Sequence, residues 1–172
     1  ARAGPLALQL LATHLTKKER SSGDLLFMDA CARVGMSAMA EKDGDLYRMV
    51  LADKTLGTTL RSNALSPISR LLKPADAFGT FKAVASDGSE NVELRMRVVK
   101  FMGLLRSTPE DDTYLLTLLV DQDPRLRLVA GETLRHALKM EGLFVNPFAA
   151  REIHEAIKAR WAEAVAATPA AK

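Results

Sequence analysis

Between Thr113 and Lys139 the chain spells two amphipathic helices around one proline turn, and a segment of that kind constrains everything packed against it. Ser107, Thr108 and Pro109 predict the start of the first helix, as a capping hydroxyl followed by a first-turn proline. Glu110, Asp111 and Asp112 then put negative charge at the positive end of the helix dipole. Tyr114, Leu115, Leu118 and Leu119 fall on one face. Asp121-Gln122-Asp123-Pro124 stops this helix and begins the next, since proline cannot continue a helix but suits its first position. The second helix carries Leu126, Ala130, Leu134 and Leu138 four apart, a single stripe to be buried. Neither helix hides its stripe alone.

The same pattern returns along the chain. Leu126-Arg127-x-x-Ala130-x-x-x-Leu134 is echoed by Leu94-Arg95-x-x-Val98-x-x-x-Met102 and by Leu60-Arg61-x-x-Ala64-x-x-x-Ile68, with a fainter copy at Ala32-Arg33-x-x-Met36-x-x-x-Ala40. The arginines at 33, 61, 95 and 127 are separated by 28, 34 and 32 residues. A fixed period marks a repeat architecture. With Asp121-x-Asp123-Pro124 ahead of it, the unit at 121–134 resembles the turn and second helix of a HEAT repeat, although the steps are shorter than the roughly 40 to 47 residues usual there. The resemblance is clearest over 92–139. It implies an all-α fold, an α-α superhelix of about three to four helical pairs forming one domain over 1–172. Segment 140–172 would supply a C-terminal capping helix and tail. It also implies that Asp121 and Arg127 belong to hydrogen-bonded ladders between successive units.

Composition agrees with helix on helix. The 172 residues are 48% hydrophobic and only 5% aromatic, a core of leucine, alanine, valine and methionine. A net charge of +3, from 24 basic and 21 acidic residues, describes a mixed surface and leaves an acidic partner or nucleic acid open. One cysteine, Cys31, excludes an internal disulfide and suits an intracellular setting, the cytoplasm or an organelle matrix. No apolar run reaches the roughly 18 to 20 residues of a membrane helix. An opening Ala1 is expected of a processed product or a fragment.

Elsewhere the pattern predicts a helix over Pro5–Leu15, a loop at Ser21-Ser22-Gly23, and a long helix to about Ala40 capped by Asp24. Leu25, Met28, Ala32 and Met36 would face inward, with Gly35 at a close helix contact. After a turn at 41–45, Leu46–Ala52 is a short helix with a methionine and a valine inward. Pro67 should kink or split, after Ser66, the helix that holds Leu60, Ala64, Ile68 and Leu71. A weak helix follows over 77–85. The polar loop 86–91 is expected to be flexible or to tolerate insertions. Asn146 and Pro147 would cap a last helix to about Ala166, with Ile153, Ile157, Trp161 and Val165 on one face.

Catalytic and metal-binding patterns are missing their essential members. His154-Glu155 opens a zinc-protease motif, yet Lys158 stands where the second histidine belongs. Asp121 and Asp123 lack the glycine and terminal glutamate of a calcium loop. His14 and His136 read as helix-surface residues, and Cys31 as a buried thiol. No catalytic residue, cofactor or metal is expected. Beside the ladder role, the repeated arginines have a second reading, a basic ridge of Arg95, Arg97, Lys100, Arg106 and Arg135 facing a partner. The expected function is a non-catalytic protein-interaction or scaffold module, a subunit or fragment of a larger assembly. The alternative is a basic nucleic-acid binder, including a DNA-repair glycosylase of HEAT-like type, which needs an aspartate beside tryptophan or tyrosine in a concave cleft.

Overall fold

A computed structural model describes residues 3–36, 43–140 and 151–166, and among them every regular element is a helix. In order these are α1 (Ala3–Leu15), α2 (Ser22–Gly35), α3 (Gly44–Ala52), α4 (Thr58–Asn63), α5 (Leu65–Leu71), α6 (Pro74–Ser86), α7 (Val92–Leu105), α8 (Pro109–Thr117), α9 (Pro124–Ala137) and α10 (Arg151–Ala166). A single 3-10 turn, Leu118–Val120, follows α8. The expected all-α class is therefore observed. The chain divides into two compact units, Ala1–Thr80 and Phe81–Lys172, with the division inside α6.

In the first unit α1 and α2 pack closely, and α3 packs on α4 and α5. Gly35 permits the first contact, because a Cβ there would run into the Leu8 side chain. Leu11, Met28, Tyr47, Val50 and Ile68 are fully buried. Burial, with the charge of Asp43 second, pushes the Tyr47 phenol up to about 12. Two sequence expectations change here. Ser21, not Asp24, caps α2, and the Asp24 carboxylate three residues on accepts from the Ser21 backbone N–H, closing a capping box. The loop expected at Ser22 and Gly23 is thus the first turn of the helix. On the inward faces Met36 and Met49 are exposed while Tyr47 and Leu51 take the core positions. The last turns expected for α2, over 37–40, lie outside the described residues.

Pro67 splits its helix three residues earlier than expected, at Ala64. A proline at 67 has no N–H for the carbonyl of Asn63, so the chain breaks where that bond would have been. Pro67 then occupies the first turn of α5, where no intrahelical donor is required. Both α4 and α5 are short, and the split leaves Leu60, Ala64, Leu65 and Ile68 all buried.

The second unit is built on α7 against α9, with α8, the 3-10 turn and α10 each packed on α9. Its caps follow the sequence closely. Thr108 caps α8 with Pro109 and Asp111 completing the box, and Asp123 caps α9 ahead of Pro124. Leu126, Ala130, Leu134 and Leu138 are all buried, as the stripe requires. Ile157 of α10 is buried and Trp161 half-buried. The expected cap at Asn146 and Pro147 falls outside the described residues.

Two cap carboxylates tie this fold to pH. Asp24 is held well below the usual carboxylate range, first by the Lys17 ammonium and then by Ser21. Asp123 is lowered to about 2, first by the Arg125 guanidinium and also by backbone N–H groups of Arg125 and Leu126. Each group binds protons less readily folded than unfolded, so its stabilisation is present above its unfolded value and is lost as pH falls through the folded one. Urea midpoints of the chain should therefore rise between about pH 2 and pH 4. Asp123→Asn should flatten part of that slope; an unchanged slope would remove Asp123 from the account.

Candidate functional site

The five basic residues proposed as one ridge do not act together. Arg95, on α7, is 7% exposed. Its Nε donates to the Ala85 carbonyl at 2.9 Å and its Nη2 to Asp121 Oδ2 at 2.7 Å. Leu94, Val98, Val99 and Met102 around it are fully buried, so the helix turns Arg95 inward with them. Arg106, at the end of α7, grips Asp112 with Nη1 at 2.7 and 2.8 Å from the two carboxylate oxygens and donates to the Ala137 carbonyl at 2.9 Å. Arg95 is thus turned away from solvent, and Arg106, half-buried, is committed to these partners. Arg135 on α9 is half-buried and holds Glu132 at 2.6 Å. Only Arg97 and Lys100, of the five, are exposed.

The recurrent arginine instead ends helices. Arg61 Nε donates to the Leu51 carbonyl at 2.7 Å, ten residues back, as Arg95 does to Ala85 ten residues back. Both acceptors lie in the last turn of the preceding helix, where carbonyls lack intrahelical donors and the dipole favours a cation. Arg127 differs, reaching the Asp121 and Gln122 carbonyls at 2.7 and 3.1 Å, just past the 3-10 turn. Arg20 serves α1 through Leu15 and His14, and joins it to Asp53 at 2.5 Å. Hydrogen bonds of this charged type contribute about 1.5–3 kcal/mol each. Of the two residues expected to join successive units, Asp121 pairs through its carboxylate with Arg95, whereas Arg127 meets the backbone of Asp121 and Gln122. Arg33, in the faintest copy, sits exposed in an ion pair with Asp29.

Asp112, read from sequence as a helix-dipole charge, is a buried hub. Besides Arg106 it accepts from Trp161 Nε1 at 3.2 Å, which fastens α10 to α8. An aspartate does sit beside the tryptophan, with Arg106 Nη1 within hydrogen-bond distance of both of its oxygens. His14 also differs from its surface assignment. It is largely covered, its ring 4.8 Å from Phe27 and its Nδ1 2.9 Å from the Leu10 carbonyl.

Lys100 contributes to an open apolar feature. Between α7 and α9 runs a groove of about 810 Å³, lined by Met96, Gly103, Leu104, Leu128, Val129, Thr133 and Ala137, with Lys100, Glu132 and His136 at its edges. Gly103 lets α9 come close, because a Cβ there would collide with the Thr133 methyl. Leu104 is 83% exposed on one wall. None of the apolar lining was singled out in advance. The signal was present as surplus: Leu104 and Leu128 are leucines outside the four-spaced stripes of their helices. A smaller cleft in the first unit, about 290 Å³, is edged by Lys17, Lys18, Arg20, Asp53 and Thr55. Its charges are largely spent on one another, Lys17 on Asp24 and Arg20 on Asp53.

Comparison with models of protein families, with curated proteins and with solved structures finds no match. Among the described residues no helix is long and apolar enough to cross a membrane.

Proposed function

We propose that the chain is a non-catalytic protein-interaction module of HEAT-like helical pairs, working inside the cell, in the cytoplasm or an organelle matrix, as part of a larger assembly. The observation that carries this reading is the apolar groove on α7 and α9. Leu104 stands exposed there beside half-buried Met96 and Leu128, and apolar side chains gathered at one open groove give a partner a place to dock. The HEAT-like assignment is supported by Arg61 and Arg95, which make the same bond to the same point of the preceding helix. Inward-turned arginines also weaken the rival reading, since they leave Arg97 and Lys100 without the continuous basic stripe or interleaved aromatics that bind nucleic acid.

Native affinity capture with mass spectrometry, repeated from low to moderate salt, tests the proposal. A protein partner retained across that range is the expected outcome, because apolar contact is little affected by modest salt. Recovery of nucleic acid alone, lost steeply as salt rises, would replace it with phosphate-dominated binding.

A further inference from the structure

We infer that the groove between α7 and α9 receives an acidic amphipathic helix from a partner protein, an occupant that rests on the interaction reading above. The shape of the groove favours a helix. Both walls are themselves helices with their backbone groups hydrogen-bonded internally, so they offer no strand edge, and side chains must do the recognising. From Met96 to Leu104 the α7 wall runs about 12 Å along its axis, two turns, matching the roughly 10 Å spanned by apolar anchors at i, i+4 and i+7 of a docked helix. Met96, Leu104 and Leu128 are flexible, unbranched or γ-branched side chains that adapt to such anchors.

Charge then selects among amphipathic helices. Lys100 stands exposed on the α7 side of the groove, and Arg97, also exposed, lies one turn before it on the same helix. On the α9 lip the single carboxylate, Glu132, is taken up by Arg135 at 2.6 Å. His136, 74% exposed, lies 3.9 Å from that same carboxylate. The groove is therefore apolar on its floor and positive at its margin. A helix with leucine or phenylalanine on one face and aspartate or glutamate flanking it complements both, and opposite charge at the rim raises the association rate and excludes basic helices.

The test pans a random 16-residue peptide library against the whole protein and measures the enriched peptides by fluorescence anisotropy. Enriched sequences should combine helical apolar spacing with excess Asp and Glu. They should bind Leu104→Glu and Lys100→Glu at least about tenfold more weakly than the parent, and more weakly as salt rises. Both substituted side chains are exposed, and circular dichroism of each variant checks that the fold is kept. Enrichment of basic peptides, or equal binding by Leu104→Glu, overturns the inference. Self-association abolished by Leu104→Glu would instead make a second copy the occupant, and competition by a short nucleic-acid duplex would make it nucleic acid. A native partner captured equally by parent and Leu104→Glu would sink the groove while leaving the interaction reading intact. Capture of no protein by either would sink both.

Discussion

Arg95→Ala is expected to destabilise the second unit by about 3–5 kcal/mol, the cost of breaking a largely buried ion pair from one side. Two groups are stranded together. Asp121, whose side chain is 16% exposed, loses the guanidinium that balances it, and the Ala85 carbonyl loses its donor at the end of α6. Part of the loss is the penalty of leaving a carboxylate unpaired, so Arg95→Ala combined with Asp121→Ala should cost less than the sum of the two single changes. Urea unfolding of the four proteins completes the cycle. Arg97→Ala, two residues away but exposed, provides the contrast and should change stability by no more than about 0.5 kcal/mol. A loss below about 1 kcal/mol for Arg95→Ala would show that the pair is not a clamp.

Ala130→Asp should be more damaging still. Ala130 is fully buried on α9, between Leu126 and Leu134 on the stripe. An aspartate there adds volume to a filled site and brings a charge with no partner, and both terms act against folding. The combined cost, above about 4 kcal/mol, is comparable with the stability of a small folded unit. The helical circular dichroism signal of the second unit should therefore be lost at room temperature. An unchanged signal and melting midpoint would mean that the stripe faces solvent. Leu104→Glu, on the opposite side of the α7–α9 contact, should leave both unchanged.

These two residues mark how far the linear pattern carries. Ala130 was legible: four-residue spacing alone assigns it to the core, because a helix repeats every 3.6 residues and one face must be covered. Arg95 was visible as a repeated arginine but ambiguous in role. It had equal claim to a ridge and to a ladder, and no local rule decides whether a long side chain at the edge of a stripe turns outward or in. Leu104 illustrates the converse. An extra leucine is ordinary in a helix until the neighbouring helix is seen to leave it uncovered.

What the amino-acid order determined unaided lay within a turn or two of backbone. Thr108 with Pro109 and Asp111, Asp123 with Pro124, the interruption caused by Pro67 and the buried stripe of α9 depend on hydrogen bonds and side-chain spacing among near neighbours. Tertiary structure alone decided which helix end each arginine closes, why Asp112 holds Arg106 and Trp161 at once, and where apolar surface stays open. Those outcomes depend on partners between 5 and 49 residues distant. The free energy of a cation buried against a carboxylate or carbonyl is set by geometry and water exclusion that exist only after the helices have met.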